Sequence, residues 1–218
     1  MGVITKGLIT KSVISYSQPI YLVGTSQGSS AGNSTLAAAS TPAAIMPGDL
    51  VIGVVSNNGA AGTWTPPTGY TELVDQNATP NLSIAWKLWV AGDSTTPTWT
   101  STVSSQTVIN YMVFRNALID QTGTLGSVTT GTAATTATAI TTSVNNTLVI
   151  AAFAGSNGST FSVPTGFYQI LHYNVSNTPN TVFGKWTTTA GTTGTVTTTP
   201  ASGTGSNVGM LFNIRPKF

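Results

Sequence analysis

The sequence predicts an all-β fold, a jelly-roll-like β-sandwich built from two internally related four-strand halves and preceded by an extended N-terminal arm. Three observations lead there: a composition that disfavours helix, apolar runs of strand length set between turn residues, and an internal duplication at a period of about a hundred residues.

The 218 residues are 40% hydrophobic, enough for one substantial core. Only 6% are charged, against roughly a quarter in an ordinary soluble domain, and Thr, Ser, Asn and Gly take their place. These are mediocre to poor helix formers, and amphipathic stretches of 3.6 period are absent. Strands are expected at Ile20 to Gly24, Leu50 to Ser56, Leu82 to Val90, Thr107 to Arg115, Thr147 to Ala154, Tyr168 to Tyr173, Thr181 to Thr187 and Val208 to Ile214, each bounded by Gly, Pro, Asn or Ser.

The duplication rests on ordered anchors. Leu50-Val51-Ile52 recurs as Leu148-Val149-Ile150, and Ser56-Asn57-Asn58-Gly59 has a counterpart in Ser156-Asn157-Gly158. Pro67-Thr68-Gly69-Tyr70 matches Pro164-Thr165-Gly166-Phe167, Ala91-Gly92 matches Ala190-Gly191, and Tyr111 to Arg115 parallels Leu211 to Arg215. A lone copy with this much Gly and Thr would bury a poor core, so the copies, at about 47–115 and 145–215, are expected to share one interior within a single domain spanning 20–218. In the repeated corner, Pro presets φ and Gly tolerates φ > 0, turning the chain before Tyr70 or Phe167 re-enters the core at equivalent places.

Between the copies, Gln121 to Asn145 is Thr, Ala and Gly with few large side chains, and ordered strands with a Thr ladder are favoured over a mobile linker. Residues 1–19 form the arm. Its apolar pairs make Ile4, Leu8, Ile9 and Val13 candidate partner contacts, either as a strand added to a neighbouring subunit or paired with the chain's own sheet.

Charge excludes several function classes. The net charge of +2 comes from 7 basic and 5 acidic residues scattered along the chain, so no basic run tracks a phosphate backbone and nucleic acid is not an expected partner. No apolar run approaches the ~20 residues of a spanning helix, and the first twenty residues lack a signal peptide's apolar centre, so neither a membrane role nor the usual export route is expected. Cys is absent, which removes disulfides and thiolate metal sites.

Catalytic constellations are equally sparse. His172 lies alone in an apolar and aromatic strand, and no carboxylates or His fall at metal-binding spacing. The acids nearest to a glycosidase pair, Glu72, Asp75 and Asp93, sit in the first copy, where the second has Gln169, His172 and Thr192. No catalytic residue, cofactor or metal is therefore expected. Of the tryptophans, Trp86 shares a strand face with Leu82, Ile84 and Leu88 and belongs to the core, whereas Trp89 faces the other way; Trp89 and Trp99 are candidate contacts for a partner protein or a glycan.

Pro47-Gly48-Asp49-Leu50-Val51-Ile52, then Pro66-Pro67-Thr68-Gly69-Tyr70-Thr71-Glu72-Leu73, then Trp89-Val90-Ala91-Gly92-Asp93 form a pattern that resembles modules of tailed-bacteriophage virion proteins over approximately Gly48 to Arg115, with a weaker echo in the second copy. Tyr70 stands where such corners usually carry Trp. The resemblance implies a non-enzymatic β-sandwich on the virion, assembled in the host cytoplasm: a capsid decoration (cement) protein, or alternatively a tail- or fibre-associated module that binds a receptor or carbohydrate. The implied partners are a major capsid or tail protein, further copies of the chain in a homo-oligomer such as a trimer, and, for the alternative, a host glycan.

Overall fold

Strand-forming runs in this chain are apolar at every position in some places and Thr-rich in others, and the two kinds take different places in the fold. The computed structural model describes residues 18–59, 61–156, 158 and 160–217, with the side chains of 31–37 outside the description. The arm candidates Ile4, Leu8, Ile9 and Val13 lie outside the described residues.

The first half contributes β1 (Tyr21–Ala38), β2 (Leu50–Asn57), β3 (Trp64–Thr65), β4 (Thr71–Asp75), β5 (Asn81–Leu88) and β6 (Thr98–Arg115). They form one antiparallel sheet in the order β1-β6-β2-β5-β4, with β3 on β6. The second half contributes β7 (Ala117–Thr122), β8 (Thr129–Thr130), β9 (Thr135–Ala137), β10 (Thr141–Thr142), β11 (Thr147–Gly155), β12 (Tyr168–Val175), β13 (Thr178–Thr187), β14 (Gly191–Thr192), β15 (Val196–Thr198) and β16 (Ser206–Pro216). Its main sheet runs β12-β13-β11-β16-β7, with β8 on β16, and the short pairs β10-β14 and β15-β9 lie beside it.

The central strands β2 and β11 are buried along their whole length because both faces of each sheet are covered. On the inner faces, Leu50, Ile52, Val54, Leu82, Ile84, Met112 and Phe114 of the first sheet join Leu148, Ile150, Ala152, Val182, Met210, Phe212 and Ile214 of the second in one shared interior. Burying each large side chain is worth roughly 1.5–3 kcal/mol, and among the described residues each sheet covers this face of the other. Asn180 crosses the interior, donating from Nδ2 to Ser56 Oγ at 3.1 Å, and Gln27 Nε2 donates to the His172 carbonyl at 3.1 Å. These bonds fix the register of one sheet on the other.

Each outer face carries its own apolar layer. Val51, Val55, Trp64, Trp89, Trp99, Ile109, Tyr111 and Val113 cluster on the first sheet. On the second, Val149, Phe153, Phe161, Phe183 and Leu211 are covered by Ala137, Ile140 and Val196. The Thr-rich segment between the copies is thus an ordered cover. Its strands pair outside the segment, β8 with β16 and β9 and β10 with residues 191–198, and Thr hydroxyls meet across the last two pairs, Thr136 with Thr197 at 3.4 Å and Thr141 with Thr192 at 3.3 Å.

The all-β sandwich matches the sequence reading in class, and the connectivity differs from a jelly roll. The chain completes one sheet before it starts the other, whereas a jelly roll passes strands between its sheets. Each half also has more than four strands. Thr71–Asp75 is short and carries two acids, and β1 continues through Gly and Ser as far as Ala38 because β6 supplies a long partner, so neither extension has an apolar signal of its own.

Candidate functional site

The Pro-Thr-Gly-aromatic corner occurs once in each sheet and builds a cleft in each. Gly69 and Gly166 adopt φ of 84° and 79°, and the amides of Tyr70 and Phe167 donate to the carbonyls of Pro67 and Pro164, both at 3.0 Å. Each turn arches over a lysine from the adjacent long strand: a Cβ on Gly69 would lie 3.0 Å from Lys87 Nζ, and one on Gly166 would lie 3.6 Å from Lys185 Nζ. Tyr70 and Phe167 are half-buried and pack on the outer layers of their respective sheets, not in the shared interior.

The first cleft, of about 470 Å³, runs between the corner and the loop from Gly92 to Thr98, with Trp89 in its wall. Lys87 Nζ pairs with Asp93 Oδ1 at 2.5 Å, and Asp93 Oδ2 accepts from the Val90 amide at 2.9 Å. Desolvation raises the Asp93 pKa, but the Lys87 hydrogen bond, the Val90 amide and the Lys87 charge outweigh it, and the carboxyl sits below the usual range. Burial, reinforced by the Asp93 charge, pushes the Tyr70 hydroxyl well above an ordinary phenol, and that oxygen has no hydrogen-bond partner among the described residues. Behind Tyr70 lies Tyr111, with ring centroids 6.5 Å apart; Tyr111 Oη accepts from Trp99 Nε1 at 2.9 Å.

The second cleft, of about 250 Å³, is lined by Pro164, Thr165, Phe167, Lys185, Thr193, Thr195, Val196 and Thr197. Lys185 Nζ stands 5.8 Å from the centroid of the Phe167 ring, within cation–π range. Thr192, the sequence counterpart of Asp93, is bridged to Thr141 and does not line this cleft.

The remaining acids are dispersed. Asp49, 2% exposed, holds Arg115 through two bonds of 2.9 Å, and Asp120 accepts from Ser143 and Asn213. Glu72 is exposed, and Asp75 Oδ2 accepts from the Trp64 amide at 3.0 Å. Asp75 pairs with Ser83, four residues from Lys87 along β5, so Asp75 and Asp93 stand roughly 13 Å apart along the strand and do not oppose one another as a glycosidase pair would. Among the described residues no group of three His, Asp or Glu is placed to hold a metal ion. His172 Nδ1 lies 2.6 Å from Thr181 Oγ1, and burial lowers its pKa.

Trp89 and Trp99, expected as exposed contacts, are 6% and 0% exposed. The alternation that set Trp89 opposite Trp86 holds, but the outer face it points to is itself covered, and Trp99 is drawn inward by its bond to Tyr111. Trp186 is the exposed tryptophan, at 49%. The clefts themselves went unread in the sequence. Their signal was a lysine near the end of an otherwise uncharged strand, two residues after Ala85 in one half and after Phe183 in the other.

Comparison with known proteins finds no match to the chain among protein-family models, curated proteins or solved structures.

Proposed function

We propose that the chain is a structural subunit of a tailed-bacteriophage particle, most simply a capsid decoration or cement protein that stabilises the shell through subunit contacts. The observation that carries this reading is the edge strand β1. Over its 18 residues it has no Asp, Glu, Lys, Arg or Pro, the residues with which monomeric proteins blunt an edge, and its first two side chains, Tyr21 and Leu22, are 60% and 39% exposed. Register shifts divide the strand, leaving Gly24 to Ser30 as the longest regularly paired stretch, and among the described residues its other side has no paired strand. A chain with only 6% charged residues has little surface charge to give colloidal repulsion, a liability for a free monomer that assembly removes.

Light scattering after size exclusion, together with fractionation of purified particles, tests this reading. An oligomer that co-purifies with particles is expected; a strict monomer absent from them would contradict it. The twin corner clefts favour a second reading, a tail- or fibre-associated carbohydrate-binding module, because each sets an aromatic ring and hydroxyl groups beside an open concave surface. Glycan-array binding tests it.

A further inference from the structure

The two clefts are built alike except for one charge. Each places a lysine from near the C-terminal end of a long strand beneath a Pro-Thr-Gly corner. In the first, the chain supplies the counter-ion, Asp93, 2.5 Å from Lys87. In the second, among the described residues, no acidic side chain does. All 5 acidic side chains of the sequence lie in described residues, and none is bound to Lys185: Asp93 pairs with Lys87, Asp49 with Arg115, Asp120 with Ser143 and Asn213, Asp75 with the Trp64 amide, and Glu72 is exposed on β4 in the other sheet. Lys185 is half-buried, its ammonium stands over the Phe167 ring, and the walls of its cleft carry threonine hydroxyls.

We propose that the second cleft binds an acidic sugar, its carboxylate paired with Lys185 in the position that Asp93 occupies beside Lys87 in the first. Phe167, half-buried, offers apolar surface to the face of a sugar ring, and Thr165 and Thr195, both exposed, offer hydroxyls to its hydroxyl groups. A volume of about 250 Å³ suits a single ring with its carboxylate. The charge-assisted pair supplies the strongest bond and the ring contacts supply the selectivity. This site refines the carbohydrate-binding reading and is independent of the particle role.

Ligand-observed NMR titration of the full chain with glucuronate, glucose and acetate tests it. Glucuronate is expected to bind one site, with glucose and acetate weaker by about tenfold or more. Lys185→Met is expected to abolish glucuronate binding and Lys185→Arg to retain it, with circular dichroism unchanged. Asp93→Ala frees Lys87 and is expected to add a second glucuronate site in the first cleft. Acetate binding as tight as glucuronate, no glucuronate binding, or binding that survives Lys185→Met would each overturn the proposal. Glucose binding unaffected by Lys185→Met would overturn the acidic-sugar site while leaving the broader carbohydrate reading standing.

Discussion

Tyr168 lies across Gly184 on neighbouring strands, so close that a Cβ on the glycine would stand 3.0 Å from the ring's Cζ and 2.9 Å from Ile170 Cδ1. At the matching place in the other sheet Thr71 faces Trp86. The aromatic ring comes from the edge strand in one sheet and from its neighbour in the other, and the facing residue is small each time. Two halves with the same strand order thus fill one volume from opposite sides.

Gly184→Ala should therefore cost about 1 kcal/mol or less, because the atoms it meets are the ends of the Ile170 and Tyr168 side chains, which can shift. Gly184→Trp should cost more, and Tyr168→Thr added to it should recover at least about 1 kcal/mol by recreating the Thr71–Trp86 arrangement. Urea unfolding of the single and double variants checks this; additive losses would show that the two positions do not share space.

A second expectation concerns the outer layer of the first sheet. Tyr111 Oη accepts from Trp99 Nε1 and donates to the Pro97 carbonyl at 3.2 Å, all within a buried cluster. Tyr111→Phe leaves both partners buried and unpaired, at a cost of about 1–3 kcal/mol with an unchanged denaturant slope. A loss below about 0.5 kcal/mol would mean that water reaches the indole.

Stability should also depend on Asp75. Burial raises its pKa from 3.8 to about 6, partly offset by the Trp64 amide, with Glu72 adding to the rise. The folded state then binds more protons than the unfolded state between these values, so this carboxyl lowers stability progressively as pH climbs from about 4 to about 6, and the penalty is constant above. Asp75→Asn keeps an acceptor for the Trp64 amide and removes the charge. Its thermal midpoint should exceed the parent's at pH 8 and approach it at pH 4. An equal difference at both values would exclude titration of Asp75 as the cause.

Much of the fold was legible because the central strands announce themselves: Leu50 to Ser56 and Thr147 to Ala154 are continuous apolar runs, as strands buried on both faces must be. The corners were legible from fixed φ preferences at Pro67, Gly69, Pro164 and Gly166. The outer layers were not. Ala137, Ile140 and Val196 are isolated among threonines, and only the sheet beneath them makes an apolar cover of them. Trp99 sits in an equally polar stretch, and its burial depends on Tyr111, twelve residues away. The clefts depend on contacts between a corner, a strand and a loop, which local pattern does not encode; the repeated strand lysine was the available trace.

The shared interior carries the whole architecture, and native-state hydrogen exchange across a denaturant series reads it at β2 and β11. If the sheets stand or fall together, the slowest amides of Leu50–Asn57 and Thr147–Gly155 exchange with one free energy and one denaturant dependence, equal to those of global unfolding. Two distinct free energies, with one sheet opening while the other stays protected, would contradict it.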